Sequence, residues 1–244
     1  MPRFFAPTDN FCENTVRITG DDAYHIARAL RMAVGDEITV ADMKGRSHTC
    51  RLTRIRDDVC ECEILSTEEG RTEPPMEVTL YMGYPKGDKL ETVIQKAVEL
   101  GALRIVPFES SRCIKRPRAD KAEKQGTRLS RIAEEAAKQC GRSRLPEVLP
   151  PVSFREAVRL AGEADLALFC YEGDCTSSLK GAIESAGTPK SISVIVGCEG
   201  GFSSDEAEYA KNAGLIPVNL GPRILRCETA PSYVLACISY VFEL

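Results

Sequence analysis

Near its end the chain carries two carboxylates and a guanidinium in segments shaped for close backbone approach to a ligand. Glu199 sits inside Gly197-Cys198-Glu199-Gly200-Gly201, and Arg226 and Glu228 sit inside the run from Leu220 to Ala230, which opens with Gly221-Pro222. Glycine permits positive φ and removes the Cβ, so a ligand can approach the main chain. A carboxylate wedged between glycines is an odd choice for packing and a reasonable one for acid–base work. Ile224 and Leu225 offer an apolar slot. Arg226 and Glu228 are expected either to pair with each other or to contact a substrate. A third segment, Tyr171-Glu172-Gly173-Asp174, carries less, because its acids serve equally well to solvate a turn.

Other chemistries lack their residues. The chain has two histidines, His25 and His48, and 11 scattered cysteines with no C-x-x-C, so no metal site is expected. There is no G-x-x-x-x-G-K-[ST] phosphate loop and no G-x-G-x-x-G after the first strand of the second half. There is no G-x-S-x-G elbow, and no histidine near the late loops.

The candidate segments fall at the ends of apolar runs. From residue 78 onward, strand-like and helix-like stretches alternate. Strands are expected at 78–84, 104–108, 165–171, 191–196 and 215–220, and helices at 88–100, 121–140, 154–161, 179–185, 203–213 and 228–242. Repeated β–α alternation with fully apolar strands implies a mainly parallel sheet covered by helices. Such sheets bind ligands beyond the carboxyl ends of their strands. The sequence at 203–206 reads as a helix start with Ser203 as cap, and Thr229 is placed to cap the last helix. That helix is apolar on nearly every side and is expected to be buried all round.

Residues 1 to about 72 follow a different pattern. Period-2 alternation at 48–55 and 59–65 predicts strands, with Cys60 and Cys62 on one face, and one helix is expected at 21–32, capped by Asp21 or Asp22. Several short strands in so short a span suggest a small barrel. The polar stretch 68–75, ending in two prolines, reads as a linker, giving domains of 1–72 and 73–244.

Of 244 residues, 43% are hydrophobic and 28% charged, as in an ordinary globular protein. No run is long and apolar enough to span a membrane, and no signal peptide precedes the first strand. Free thiols then fit a reducing, cytoplasmic setting. The net charge of −4 argues against indiscriminate coating of nucleic acid. Between Arg112 and Arg144, however, 11 Lys and Arg face 4 Asp and Glu, a local basic stripe suited to one anionic surface.

Taken together, GCEGG at 197–201 and LGPRILRCETA at 220–230 resemble the last motifs of SPOUT-class RNA methyltransferases. The chain is most similar to the RsmE family, which methylates N(3) of a uridine, uracil(1498), in 16S ribosomal RNA. The resemblance also covers RFF at 3–5, HIARALR at 25–31, the segment 86–101, SRC at 111–113 and EEAAKQCGR at 134–142. It departs in one place: Cys198 stands where the family usually has proline, which restores an N–H and loosens the loop.

The resemblance implies an α/β fold, with a PUA-like β-barrel ahead of a C-terminal domain that carries a trefoil knot. It implies S-adenosylmethionine as cofactor, 16S rRNA of the small ribosomal subunit as partner, and a homodimer without metal or membrane. The residues expected at the cofactor are Tyr171, Glu172, Gly197, Cys198, Glu199, Gly200, Gly201, Leu220, Gly221, Ile224, Leu225, Arg226, Thr229 and Ala230. Glu199 and Glu228 are candidates for removing the N(3) proton, and Arg226 for stabilising charge on the uracil oxygens. Arg3, His25, Arg28, Arg31, Arg112 and Arg142 are expected RNA contacts. A ribose 2′-O-methyltransferase acting on transfer RNA and a non-catalytic RNA-binding assembly factor are the alternatives.

Overall fold

A computed structural model describes residues 1–114, 122–173 and 177–244. It divides into two compact units: 1–73 with 137–145, and 74–136 with 146–244.

The first unit is built on six strands, β1 (Arg3–Phe5), β2 (Phe11–Cys12), β3 (Thr15–Thr19), β4 (Glu37–Ala41), β5 (Arg46–Ile55) and β6 (Val59–Glu69). They form one sheet in the order β1-β4-β5-β6-β3-β2, antiparallel except for the parallel pair β1–β4. Alternation does what the sequence promises. Cys60 and Cys62 pair with Ile18 and Val16 and point into a core shared with Phe4, Ile26, Ile38, Val40 and Leu52. The helix expected at 21–32 is shorter and changes pitch. Helix α1 covers Asp21–Tyr24 and gives way to a π-helical turn at His25–Ala29. Gly20, at φ 66, takes its N-cap position without a side-chain cap, so neither aspartate caps it.

Within the polar stretch read as a linker, 70–75 is a loop without regular structure, and the two units divide there between Glu73 and Pro74. β6 runs through Glu69, and Glu73 is a half-buried hub. Its carboxylate accepts from the Arg142 guanidinium at 2.7 Å and from the backbone N–H groups of Ser143 at 2.8 Å and Arg144 at 3.0 Å. Lys138 pairs with Asp22 at 2.8 Å and lies over the Phe4 ring. These contacts tie 137–145 into the first unit.

The second unit is an all-parallel sheet. Its strands are β7 (Glu77–Gly83), β8 (Arg104–Glu109), β9 (Glu147–Val148), β10 (Val152–Ser153), β11 (Leu166–Cys170), β12 (Ser177–Ser178), β13 (Ser191–Val196) and β14 (Ile216–Asn219). The order is β10-β8-β7-β13-β11-β14-β12, with β9 also on β8. Helices α2 (Lys89–Glu99), α3 (Ala122–Cys140), α4 (Phe154–Ala161), α5 (Leu179–Ser185), α6 (Ser204–Asn212) and α7 (Thr229–Phe242) connect or follow them. Helix starts are set locally: Ser153 and Ser178 each accept an N–H three residues on, and Ser203 with Glu206 completes a reciprocal capping box. At α7 the N-cap is Glu228 rather than Thr229, with no side-chain cap.

α7 is buried on one side only. Ala230, Val234, Leu235 and Ile238 face the core, whereas Tyr233 and Tyr240 are exposed. Four neighbouring strands, β7, β13, β11 and β14, thus deliver their carboxyl ends side by side.

Candidate functional site

Beyond the ends of β11, β13 and β14 lies a cavity of about 560 Å3. Its floor is the end of β13 and the turn that follows, Val196 to Glu199, with Gly201 and Phe202. Its wall is the loop after β14, from Asn219 to Glu228, with Ala230. Tyr171 and Glu172 close one side and Lys89 another. The residues expected at a cofactor therefore gather here, except two. Gly200 packs against Arg112, whose guanidinium donates to its carbonyl at 3.0 Å. Thr229 begins α7 and is exposed, its N–H donating to the Arg226 carbonyl.

Glycine is required where the loops fold tightly. Gly201 (φ +62) and Gly221 (φ +99) hold left-handed conformations that a side chain would strain. A Cβ on Gly197 would stand 3.0 Å from the Phe202 ring and 3.2 Å from Gly201 Cα. Ile224 is 85% exposed on the cavity rim, an apolar side chain with nothing covering it among the described residues.

Charge is concentrated at one end. The Lys89 ammonium stands 3.0 Å from Glu199 Oε1 and 3.3 Å from Glu228 Oε2. The Lys86 N–H donates to Glu199 at 3.1 Å. Burial pushes the Glu199 carboxyl up, but its own N–H, Lys89 and the Lys86 N–H outweigh this and leave it below the usual carboxylate range. Glu228 is lowered chiefly by its own backbone N–H, against some burial and with help from Cys227 and Lys89. Lys89 is correspondingly raised, first by Glu199. Next to them, burial and the Glu228 carboxylate push the Cys227 thiol up to about 12, so it stays protonated and donates to Glu228 at 3.2 Å. Arg226 and Glu228 do not pair. Glu228 is taken by Lys89, and the exposed Arg226 guanidinium has no hydrogen-bond or ion-pair partner among the described residues.

Lys89 is the site residue that sequence reasoning missed. The available signal was its position: it is the first residue of α2, where the helix dipole favours acids over bases.

The expected RNA contacts separate by environment. His25, Arg28 and Arg31 are exposed on the first unit, with Arg28 in a two-bond pair with Asp57. Arg112 is exposed on the second. Arg3 is half-buried and donates to Ser47 Oγ and the Arg142 carbonyl. Arg142 is 2% exposed and committed to Glu73, which places it in the fold rather than at a surface a phosphate can reach. Lys115, Arg116, Arg118 and Lys121 of the basic stripe, and Asp174, lie outside the described residues. Among the described residues, no His, Cys, Asp and Glu cluster suits a metal ion, and no helix is long and apolar enough to cross a membrane.

The chain matches the family model of an RNA methyltransferase domain over residues 72–239, and that of an RNA methyltransferase PUA domain over 18–65. It is 35% identical to ribosomal RNA small subunit methyltransferase E of Bacillus subtilis, over 94% of this chain and 91% of that protein. It is 33% identical to the protein of the same name from Synechocystis, covering 99% and 78%. The crystal structure of ribosomal RNA small subunit methyltransferase E from Neisseria gonorrhoeae, bound to S-adenosyl methionine, superposes with a TM-score of 0.88 at 34% identity, covering 99% of this chain and 98% of that one. With a PUA domain preceding an α/β methyltransferase domain of the SPOUT kind, the chain belongs to the family of ribosomal RNA small subunit methyltransferase E.

Proposed function

We propose that this chain transfers the methyl group of S-adenosylmethionine to N(3) of a uridine in 16S rRNA of the small ribosomal subunit. The observation that carries the reading is the convergence of the 197–201 and 220–228 loops on one cavity with an ionised cluster at its end. The cavity's size falls in the roughly 300–1,000 Å3 range of small-molecule sites. Its glycine turns expose main-chain groups, Val196, Leu220 and Leu225 supply apolar contact, and charged groups stand at one end. That set fits a nucleoside with a charged tail.

When bound, S-adenosylmethionine supplies a methyl group already activated on a sulfonium. The chain must do the rest. Uracil N(3) carries a proton that has to leave, and Glu199 and Glu228 are both ionised acceptors for it. Their lowered basicity means that the uracil anion also needs stabilisation, and the Arg226 guanidinium, which has no partner among the described residues, supplies that to the uracil oxygens. N(3) lies on the pairing edge, so the target is unpaired or flipped outward.

His25, Arg28, Arg31 and Arg112 are the phosphate contacts this reading retains. The bared side of α7, with Tyr233 and Tyr240, is its homodimer face. The reading also places the enzyme in the cytoplasm with its ribosomal substrate, and assigns the family's trefoil knot to the segment that forms the cavity loops.

The test is methylation of small subunits from a strain lacking this modification, followed by mass spectrometry of digested RNA. The expected product is one N(3)-methyluridine; methyl on a ribose, or no methyl transfer, sinks the proposal. Sedimentation at micromolar concentration checks the dimer, which a clean 26.7 kDa monomer would exclude.

A further inference from the structure

The cluster of Glu199, Lys89 and Glu228 joins three separate pieces of chain. Glu199 lies in the turn after β13, Glu228 at the start of α7, and Lys89 at the start of α2. The two carboxylates belong to the two loops that make the cavity, and they are only 29% and 23% exposed. Both bear negative charge and both reach the same ammonium. Partly withdrawn from water, like charges repel more strongly than at an open surface. Lys89 is the cation between them, and nothing in its own helix favours it there, since the N-terminal turn already presents positive dipole ends. The Lys86 N–H fixes the Glu199 carboxylate from the same side, at 3.1 Å and 3.4 Å. The start of α2 therefore acts as a clasp between the two loops at the charged end of the cavity.

We infer that Lys89 is a positioning residue that holds the two cavity loops at the spacing a ligand needs. The inference rests on the reading of the cavity as the S-adenosylmethionine site. Charge alone makes the opposite prediction for that ligand: taking away Lys89 leaves two free carboxylates that attract a sulfonium. An uncharged probe separates the two effects. 5′-Methylthioadenosine has the nucleoside and a neutral sulfur, so its affinity reports the shape of the loops.

The experiment measures binding of 5′-methylthioadenosine and S-adenosylmethionine by calorimetry to wild type, Lys89→Met, Lys89→Arg and the double variant Lys89→Met with Glu228→Gln. Melting curves and steady-state kinetics accompany it. Lys89→Met is expected to weaken the neutral probe at least about tenfold and to raise KM for the cofactor more than it lowers kcat. Lys89→Arg should recover most of the affinity, because a guanidinium also bridges two carboxylates. The double variant should bind more tightly than Lys89→Met, since it removes one of the two repelling charges, a coupling that a double-mutant cycle isolates.

Should Lys89→Met fold poorly, the double variant must recover melting temperature as well as binding, and failure to recover either overturns the inference. Unchanged affinity of Lys89→Met for the neutral probe also overturns it, as does a loss confined to kcat. A wild type that binds neither ligand is a different result, and it removes the cofactor reading itself.

Discussion

The thiols of Cys113 and Cys198 share one hydroxyl: Ser110 Oγ lies 3.2 Å from Cys113 Sγ and 4.0 Å from Cys198 Sγ. Cys198 belongs to the cavity turn and Cys113 to the loop after β8, and both are buried. Donation from Cys198 S–H, with Ser110 adding its hydroxyl and N–H, holds the Cys113 thiol well below the ordinary value even though burial opposes it. The same contact, together with burial, pushes Cys198 up. Cys198 thus has a partner beneath the turn.

Titration of thiolate absorbance checks this. The difference between wild type and Cys113→Ser should develop at a pH below that of a free thiol, about 8.5. In Cys198→Pro the donor is gone, and the Cys113 transition should move up. Superimposable titrations of wild type and Cys198→Pro would show that the two sulfurs do not communicate.

Gly83 closes β7 directly under the same turn. A Cβ there would lie 2.5 Å from the Cys198 nitrogen and 2.9 Å from the Gly197 carbonyl carbon, both backbone atoms that cannot swing aside. Gly83→Ala should cost about 1–3 kcal/mol, several degrees of Tm at about 2–4 °C per kcal/mol for a chain of this size. It should also weaken S-adenosylmethionine binding by displacing the turn. Gly126, inside α3, is the contrast. A Cβ there meets nothing within 4 Å, so Gly126→Ala should stabilise by roughly 0.5–1 kcal/mol. Equal Tm shifts for the two variants would show that the close approach at Gly83 carries no cost.

What was legible in the sequence was local. The strand at Ser191–Val196 and the helices at Phe154–Ala161 and Leu179–Ser185 were readable to the residue, because an apolar run or a serine cap sets each. The candidate loops stood out for the same reason, since their glycines and acids are contiguous. What failed depended on distant partners. Glu73 sits in the polar loop as read, but its anchoring was hidden because its partner Arg142 is 69 residues away. Arg142 looked like a surface base for the same reason. Lys89 was invisible as a site residue because its carboxylates are 110 and 139 positions later in the chain. The mixed pitch after Asp21 had no local signal at all, since apolar spacing over one turn does not distinguish an α-helix from a π-helix.

The Glu73 hub predicts a specific acid sensitivity. Burial raises the Glu73 carboxyl, but the Arg142 guanidinium and the N–H groups of Arg144 and Ser143 outweigh it and leave it lowered. A carboxylate lowered on folding adds stability that is complete above its unfolded value, about 4.3, and is lost as pH falls through the folded value. Glu73→Gln leaves the Arg142 charge buried without its counterion, at a cost of about 3–5 kcal/mol near neutrality. Urea melts of both proteins from pH 7 downward should show that gap shrinking as wild-type Glu73 takes up its proton. A gap independent of pH would mean that the ion pair contributes nothing to the difference.

Arg226 separates function from stability most sharply. Its carbonyl accepts from the N–H groups of Thr229 at 2.9 Å and Ala230 at 3.0 Å, so its backbone begins α7 whatever the side chain is. The guanidinium is exposed on the cavity wall and supports nothing else among the described residues. Arg226→Ala should therefore leave stability within about half a kcal/mol of wild type, as for a surface substitution. Turnover should fall on the order of 10²-fold or more, the usual loss when a donor to a developing anion is removed. Cofactor affinity should change far less than kcat, because the charge it meets develops only as the uracil proton leaves. A lysine in its place keeps a charge but loses the planar fork, so Arg226→Lys should restore only part of the rate. Activity of Arg226→Ala within about threefold of wild type would take the guanidinium out of the chemistry and leave the two glutamates as the charged groups that handle the uracil proton.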